Sequence, residues 1–368
     1  MDSILDTAHR LRADATAHAA TSADYAVHLD VAMAATEFER VLGEPFGAAA
    51  AWRRAVELLR AAPSIDPWLY RGAAQVAWVA RRRGMGQVAA LDDCVARWID
   101  AYPAWGTVDL PRGLLGLGVS AAEHPDGAVR DKLTSRVLDV IEDRTVLDAD
   151  GRHLPAAPRG VGHLLGLAHG AAGLVAYLAA VSATDLPCRL RAADLLDAVT
   201  GWLLAQRHPV GGSVFPRSVE TRDVPARSAW CHGDPGIWIG LAAAAAAGSA
   251  AAAAVVDEVA HAVVTRPPEH AGVVDATVCH GSAGLLWIAH RMHVATGDPA
   301  AAARVEHWMR HIRAERAAGP LRYFGGAGMV RNASFLEGDL GVALVLLAVA
   351  TGTRPAWERL LLGGEVGR

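Results

Sequence analysis

The chain has few cysteines and no surplus of positive charge. Four cysteines occur among 368 residues, and their irregular spacing does not form a secreted disulfide framework. Lys and Arg total 35 against 39 Asp and Glu, which gives a formal net charge of −4. Because nucleic-acid binding depends on basic residues that neutralise phosphates, this balance argues against nucleic acid as the main partner.

The sequence also lacks an apolar signal segment and a convincing membrane span. Its first residues, MDSILDTAHRLRAD, include acids at positions 2 and 6, so we expect no signal peptide and a cytoplasmic location with reduced thiols. Residues 237–256 carry no charge over the length of a membrane span. They are mostly alanine and are interrupted by Gly248 and Ser249. We therefore expect a helix, a turn and a second helix, and not a membrane protein.

Alternating strand patterns are nearly missing. Apolar residues recur at three- and four-residue spacing in 24–42 and 49–62, which predicts amphipathic helices. The plausible β segments are 146–154 and 211–218, as hairpins or loops. Hydrophobic residues make up 52% of the chain and charged residues 20%, which is typical of a globular protein. No linker-like stretch divides the chain, so we predict one domain over residues 1–368.

A glycine motif recurs along the chain. Two glycines three residues apart are followed by an apolar helical segment in RGLLG at 112–116, HGAAG at 169–173, HGDPG at 232–236, HGSAG at 280–284 and EGDLG at 337–341. RGAAQ at 71–75 is a degenerate copy, with Gln75 in place of the second glycine. The gaps between copies suit two helices each. The repeat predicts an all-α fold, an (α/α) toroid or barrel of about six helical hairpins.

The glycines fit the start of an inner helix in such a ring. We expect them to let neighbouring helix N-termini approach closely, with free N–H groups directed toward the axis. Residues just before the first glycine of each copy would then collect at one end of the ring. An open solenoid is the competing geometry, but its repeats are usually shorter and more uniform.

Two of these copies share a frame that suits a metal site. Cys231 and Cys279 each precede a His-Gly-x-x-Gly sequence, in AWCHGDPGI at 229–237 and TVCHGSAGL at 277–285. Thiolate and imidazole are ligands that zinc prefers, and two cysteines with one histidine would leave a fourth position open. The alternative is a pair of buried, inert cysteines beside a capping histidine. Cys94 and Cys188 lack such a context and are expected to be packing residues.

The chain resembles the lanthionine synthetase C-like (LanC) family of peptide cyclases. The resemblance runs from LYRG at 69–72 to EGDLG at 337–341 and is most specific at Trp230-Cys231-x-Gly233 and Cys279-His280-Gly281. It implies an (α/α) toroid with one catalytic Zn²⁺ held by Cys231, Cys279 and His280. The fourth zinc position would take water or the cysteine thiol of the substrate peptide. The chain departs from the family at His232, where tyrosine is usual, and at Gln75.

Three further residues match catalytic positions of the family. The resemblance implies that His169 is an acid/base, that Asp109 is the catalytic aspartate and that Arg227 lies near the metal. Each has a plainer alternative: His169 as a helix cap, Asp109 as an N-cap and Arg227 as a surface residue. His232 is left open between a supporting residue, a competing ligand and a substrate contact.

The implied reaction is addition of a peptide cysteine thiol to dehydroalanine or dehydrobutyrine, which closes a (methyl)lanthionine thioether ring. A thiol attacks as thiolate, and a Zn²⁺ ligand set rich in sulfur would keep it nucleophilic. We expect His169 to protonate the enolate carbon and Arg227 to stabilise the enolate oxygen. Asp109 would orient a ring or help to deprotonate the thiol.

The expected partners are a dehydrated precursor peptide and a separate dehydratase, since the chain has no kinase or lyase signature. One alternative is addition of glutathione or another thiol to dehydrated peptides or proteins, with the same metal site. Another is a non-catalytic, zinc-stabilised peptide-binding scaffold. An (α/α) toroid glycosidase ranks last, because it needs paired carboxylates and gives no role to Cys231 and Cys279.

Overall fold

A computed structural model of the chain describes residues 3–85, 88–156 and 162–364. Within these ranges the chain is mainly helical, with two short antiparallel hairpins. Its packing forms two compact units. The first comprises Met1–Ile65 and Gly272–Ala356, and the second comprises Asp66–Ala271 and Trp357–Arg368. The single domain over 1–368 stays a prediction.

The first unit combines two separate segments of the chain, Met1–Ile65 and Gly272–Ala356. Its elements are α1 (Ile4–Ala19), α2 (Tyr25–Leu42), α3 (Ala48–Ala61), α13 (Ser282–Thr296), α14 (Pro299–Ala318), β3 (Tyr323–Phe324), β4 (Met329–Val330) and α15 (Asp339–Thr351). Strands β3 and β4 pair antiparallel, with Tyr323 opposite Val330. The predicted helices at 24–42 and 49–62 are thus present as α2 and α3.

The second unit holds the middle of the chain. Its elements are α4 (Ala73–Arg82), α5 (Ala89–Asp100), α6 (Leu114–Ala122), α7 (Gly127–Arg144), β1 (Val146–Asp148), β2 (Gly151–His153), α8 (Ala171–Ser182), α9 (Arg189–Ala205), α10 (Asp234–Ala246), α11 (Ala250–Ala253) and α12 (Val256–Thr265). β1 and β2 form the hairpin predicted at 146–154. Residues 211–218 form a loop with isolated bridges, among them Val210 with Ser213.

Helices α4, α6, α8, α10, α13 and α15 each follow a copy of the glycine motif and are buried on nearly all sides. The helix that follows in sequence buries a single face; α14, for example, buries only Ala301, Trp308 and Ile312. A fully apolar helix needs partners all round, whereas an amphipathic one needs a partner on one side. This alternation of two helix types gives the predicted hairpins.

One further pair carries no glycine motif. Helix α2 is buried over most of its length and packs on α3, but it begins at Asp24, whose carboxylate accepts the backbone N–H of Ala26 at 2.9 Å. At the other end of the chain, α15 packs on α1 and α2. Counting glycine motifs therefore misses the pair α2–α3, because a side-chain cap replaces the glycine there.

The glycines of the motif are explained by the loop that precedes each helix. A Cβ on Gly170 would overlap the carbonyl oxygen of Leu164, and one on Gly173 would overlap that of Leu167. In both cases the carbonyl belongs to the residue six positions earlier. The same relation holds at the other motif glycines, at positions 72, 113, 116, 233, 236, 281, 284, 338 and 341.

These loops also bind the first N–H groups of the helices. Ala171 donates to the carbonyl of Leu164 at 3.1 Å, and Leu114 donates to Thr107 at 2.9 Å. The N-cap residue of each of these six helices is a motif glycine, which has no side chain to accept a hydrogen bond from the helix. The expectation that these N–H groups point freely toward an axis is therefore wrong for these donors. Loop carbonyls satisfy them, since such donors require a partner.

The degenerate first copy is held differently. Gln75 is buried, and its Oε1 accepts the backbone N–H of Arg71 at 2.7 Å. Arg71 has φ of 64°, a left-handed conformation that is uncommon outside glycine. In the other copies the second glycine lies against a backbone carbonyl of the preceding loop. In this copy Gln75 occupies that position, and its side chain accepts a hydrogen bond from the loop instead.

The uncharged stretch at 237–256 forms a helix, a turn and further helices, as predicted. It covers most of α10, then Gly248 with φ of 100°, then α11 and the start of α12. In the part of the chain that the structure describes, no helix has both the length and the hydropathy that a membrane crossing requires.

Two Gly→Ala substitutions test the explanation of the motif. Gly173→Ala would place a Cβ against a backbone carbonyl that cannot move cheaply, so we expect a loss of about 1–3 kcal/mol of stability. Gly201→Ala in α9 meets nothing closer than 3.8 Å, so it should gain about 0.5–1 kcal/mol. Urea unfolding of both variants measures the difference, and equal effects would contradict the explanation.

Candidate metal and acid/base site

Cys231 lies in the loop that leads into α10. It is buried, and its carbonyl accepts the N–H of Ala168 at 3.3 Å. Gly233 has φ of 79°, and a Cβ there would overlap the carbonyl of Arg227. Trp230 anchors the loop by donating Nε1–H to the carbonyl of Leu361 at 3.0 Å. The thiol is therefore carried by a loop with little freedom to move.

Asp109 and His169 lie on neighbouring motif loops that are joined by a backbone hydrogen bond. Leu110 donates its N–H to the carbonyl of Ala168 at 2.9 Å, which joins the two loops. His169 Nδ1 lies 3.2 Å from Asp109 Oδ2, while Asp109 Oδ1 accepts the N–H of Arg112 at 3.0 Å. Asp109 therefore holds its own turn and the imidazole together.

The carboxylate of Asp109 changes the acidity of His169. Its hydrogen bond raises the pKa of His169 above the usual value of 6.5, and burial only partly opposes this shift. Since a carboxylate accepts hydrogen bonds, Nδ1 carries the proton and Nε2 is left for other partners. The hydrogen bond described for the His169 ring is the one to Asp109, and the interpretation of His169 as an acid/base stays a prediction.

The pKa of His232 is shifted in the opposite direction, below its usual value. Its ring centroid lies 5.9 Å from that of His169, and its Nδ1 is buried without a hydrogen-bond partner among the described residues. Burial is the main cause that lowers the pKa of His232, and the positive charges of Arg217 and Arg227 act in the same direction. Arg227 itself is half-buried in the loop before Cys231. The two histidines thus favour different protonation states.

Cys279 and His280 lie in the loop before α13. The N–H groups of Val278 and Cys279 both donate to the carbonyl of Leu336, at 3.1 and 3.0 Å. The hydroxyl of Thr277 accepts the N–H of His280 at 3.3 Å. As in the other motif loops, the backbone is held by bonds to a neighbouring loop.

Asp275 is the residue of this loop that sequence reasoning missed. Its buried carboxylate accepts the N–H and the hydroxyl of Thr277 through Oδ1, at 3.0 and 2.8 Å. Through Oδ2 it accepts the N–H of Phe324 at 3.1 Å, and this oxygen lies 4.0 Å from His280 Nε2. The available signal was an Asp-x-Thr sequence just before the motif, typical of an Asp side chain that bonds a residue two positions on.

Asp234 and Asp339, which follow the first glycine of their motifs, hold other loops in place. Asp234 accepts the N–H groups of Val214 and Phe215 at 2.8 and 3.1 Å, and burial raises its pKa to about 6. Asp339 accepts the hydroxyl of Tyr323 at 2.6 Å. These carboxylates act on the backbone and side chains of preceding segments, so we assign them a structural role.

Among the described residues, one group of Cys, His, Asp and Glu side chains could hold a metal ion. It consists of Cys231, Cys279 and His280, whose ligand atoms all lie within 4.8 Å of one another. The cysteines form no disulfide. Two thiols and one imidazole match the chemistry of a zinc site with an open position. His232 is outside this group, as are Cys94 and Cys188, whose thiol pKa values are raised by burial.

The fold and these loops define an all-α protein built from paired helices with a thiol- and imidazole-bearing loop cluster. The family model of the lanthionine synthetase C-like protein matches residues 48–362. The chain therefore belongs to the lanthionine synthetase C-like family.

A solved structure gives an independent comparison of the fold. The chain is similar to a structure described as nisin cyclase, with a TM-score of 0.71 and 16% sequence identity over 96% of each chain. At this identity the likeness concerns the fold, and it confirms the predicted all-α, (α/α) toroid class. Comparison with curated proteins gives no match.

Asp109→Asn tests the coupling to His169. The substitution removes the negative charge that favours imidazolium, so we expect the pKa of His169 to fall. In the wild type, the pKa of His169 is higher in the folded than in the unfolded chain. The Asp109–His169 pair therefore contributes its full stabilisation below the unfolded pKa of about 6.5, and this contribution is lost as the pH rises through the folded pKa.

Histidine NMR titration of wild type and variant measures this change. His311, whose pKa is raised by its hydrogen bond to Glu315, serves as the internal control and should titrate identically in both proteins. An unchanged His169 midpoint in the variant would show that Asp109 does not set its acidity.

Proposed function

We propose that the chain is a zinc-dependent peptide cyclase that adds cysteine thiols to dehydroalanine or dehydrobutyrine and so forms (methyl)lanthionine rings in a ribosomal precursor peptide. The observation that carries the proposal is the clustering of the Cys231, Cys279 and His280 ligand atoms within 4.8 Å. Membership of the lanthionine synthetase C-like family supports this assignment.

Cys231, Cys279 and His280 would hold the zinc. The donor set fits this metal, because thiolate and imidazole are its usual ligands and three protein ligands leave one position open. When bound, zinc supplies Lewis acidity that lowers the pKa of a thiol from about 8.5. Asp275 supports the site through the hydrogen bonds that fix the loop of His280, at Thr277 and Phe324.

We assign the transfer of a proton to His169. With Nδ1–H donated to Asp109 at 3.2 Å, its Nε2 can carry a proton to a substrate atom. The raised pKa of His169 keeps a larger imidazolium fraction near neutral pH, which suits a proton donor. In the reaction the substrate sulfur bonds to the β carbon of the dehydro residue, and the α carbon receives a proton from Nε2. The thiol proton leaves to a base, so the addition needs no oxidant or reductant.

The neighbours of His169 favour this charge state. Burial lowers the pKa of His232, which disfavours a second positive ring 5.9 Å from that of His169. Arg227 supplies a positive charge on the Cys231 loop, where it would stabilise negative charge on an enolate oxygen. Asp109 orients His169 and keeps the alternative task of accepting the thiol proton.

The partners follow from the chemistry. The substrate would be a precursor peptide already dehydrated by a separate dehydratase, and the location that we propose is the cytoplasm. The same residues would serve an enzyme that adds glutathione to dehydrated peptides, because only the thiol donor differs. A non-catalytic scaffold gives no use to the hydrogen-bonded pair of Asp109 and His169.

Metal content tests the ligand set. We expect about one zinc per wild-type chain by elemental mass spectrometry and loss of that zinc in Cys279→Ala, which removes one of the three ligands. The matched control is Cys94→Ala, whose thiol lies on α5 outside the cluster and which should keep the metal. Wild-type protein purified without chelators and free of zinc would overturn the ligand assignment.

Single-turnover assays test the acid/base assignment. With a dehydrated cysteine-containing peptide, His169→Asn and Asp109→Asn should keep zinc but lose about 10²- to 10⁴-fold in rate, the usual contribution of a general acid. His261→Asn, on the exposed face of α12, is the control and should keep its rate.

A second arm of the same assay separates the two enzymes. Ring closure without added thiol supports the cyclase, whereas addition only when glutathione is supplied would favour the thiol transferase. Wild-type zinc protein that catalyses neither reaction would leave the scaffold as the surviving function.

A further inference from the structure

The hairpin β3–β4 and the loop before α13 carry apolar side chains that face solvent. Among the described residues eleven large hydrophobic side chains are exposed, and four of them lie on these two segments, namely Val274, Phe324, Met329 and Val330. Phe324 is 55% exposed and Val274 is 56% exposed. Single exposed apolar residues are common, whereas several on adjacent segments indicate a binding surface. We call these four residues the apolar patch.

Two short contacts connect the apolar patch to the candidate metal site. Phe324 donates its N–H to Asp275 Oδ2 at 3.1 Å, and the same oxygen lies 4.0 Å from His280 Nε2. Val274 directly precedes Asp275 in the chain. His280 belongs to the group of side chains that could hold a metal ion. A molecule held beside this imidazole is therefore close to the backbone of both Phe324 and Val274.

Hydrogen bonds hold the hairpin that carries the patch. Tyr323 is buried, and its hydroxyl donates to Asp339 Oδ1 at 2.6 Å. Across the turn, Gly325 donates its N–H to the carbonyl of Gly328 at 2.8 Å. The exposed side chain of Phe324 therefore extends from a backbone that is fixed on both sides. A binding surface of this kind loses little freedom when a ligand covers it.

The composition of the two segments selects the kind of group that they bind. Residues 272–274 and 323–330 include no charged side chain. Phe324 and Met329 lie opposite each other across the hairpin, so their side chains share one of its faces. Arg322 borders this face and donates from Nη1 to the carbonyl of Met329 at 3.3 Å. An apolar group gains by being buried there, whereas a charged group would lose water without gaining a partner.

The proposed reaction determines what occupies the patch. We propose that the apolar patch binds an apolar side chain of the substrate peptide within about two positions of the reacting cysteine, because residues of an extended peptide are about 3.3 Å apart. Phe324 and Met329 thereby select which cysteines react. The choice of occupant rests on the proposed function, in which the cysteine thiol is brought to the metal site.

Fluorescence anisotropy with two labelled peptides tests the patch. Both peptides contain one cysteine and no dehydrated residue, and they differ only in carrying Leu or Ser on each side of the cysteine. We expect the wild-type chain to bind the Leu peptide at least about fivefold more tightly, since burial of an apolar side chain is favourable. The double variant Phe324→Ser/Met329→Ser should bind the two peptides equally.

The matched control is Leu190→Ser/Val294→Ser, which also removes two exposed large hydrophobic side chains. Leu190 lies on α9 and Val294 in the last turn of α13, away from the patch, so this variant should keep the preference for Leu. An equal loss in the control would overturn the proposal, as would equal binding of both peptides by the wild type. Tighter binding of a third peptide with Asp beside the cysteine would overturn it too, because Arg322 would then select the substrate.

The patch and the proposed reaction can fail separately. Because the labelled peptides contain no dehydro residue, their binding is measured without ring closure. A preference for Leu in a chain that closes no ring in a dehydrated peptide would support the patch and overturn only the cyclase. Ring closure with equal kcat/KM for dehydrated peptides of both kinds would overturn the patch and leave the cyclase.

Discussion

Each motif helix begins with a backbone hydrogen bond to the loop that precedes it, and the candidate site depends on this bond. A helix N-terminus has donors that need partners, and a side chain such as Asp24 of α2 is the usual solution. In the motif loops, carbonyls perform this task, as Leu164 does for Ala171. The side chains of the two residues before the first glycine are therefore not needed as helix caps. In two of the loops these residues are Cys231 with His232 and Cys279 with His280.

Bonds between neighbouring loops add precision to this arrangement. The N–H of Leu110 donates to the carbonyl of Ala168, and the N–H of Ala168 donates to the carbonyl of Cys231. These two backbone hydrogen bonds join three motif loops of the second unit. Asp109 and His169 are held by the first of these links. Reactive side chains on rigid, mutually bonded loops lose little freedom when they act, which favours catalysis by positioned groups.

The sequence was sufficient for features that repeat or that carry unusual residue types. The glycine spacing predicted the helix pairs, and the two Cys-His-Gly frames predicted the only metal-ligand cluster in the described residues. It was insufficient where a residue acts through a distant partner. The carboxylate of Asp275 accepts the backbone N–H of Phe324, forty-nine positions away, and neither local sequence predicts that hydrogen bond. Helices α2 and α3 were predicted from their periodicity, but they were not counted as a pair because α2 begins at an Asp cap and not at a glycine motif. The role of the glycines was misjudged because they contact backbone carbonyls of the preceding loop, which every residue type carries.

The composition of the first unit has a consequence for how the chain matures. Its α1, α2 and α3 come from the start of the sequence, but α1 packs on α15, which ends at Thr351. A ribosome releases the N-terminal helices first, and chains grow by about 5–20 residues per second. Helices α1 and α2 can pack on α15 only after the chain has been made as far as Thr351. The segment from Asp66 to Ala271 is contiguous and can assemble earlier, although Trp357–Arg368 completes its unit only later.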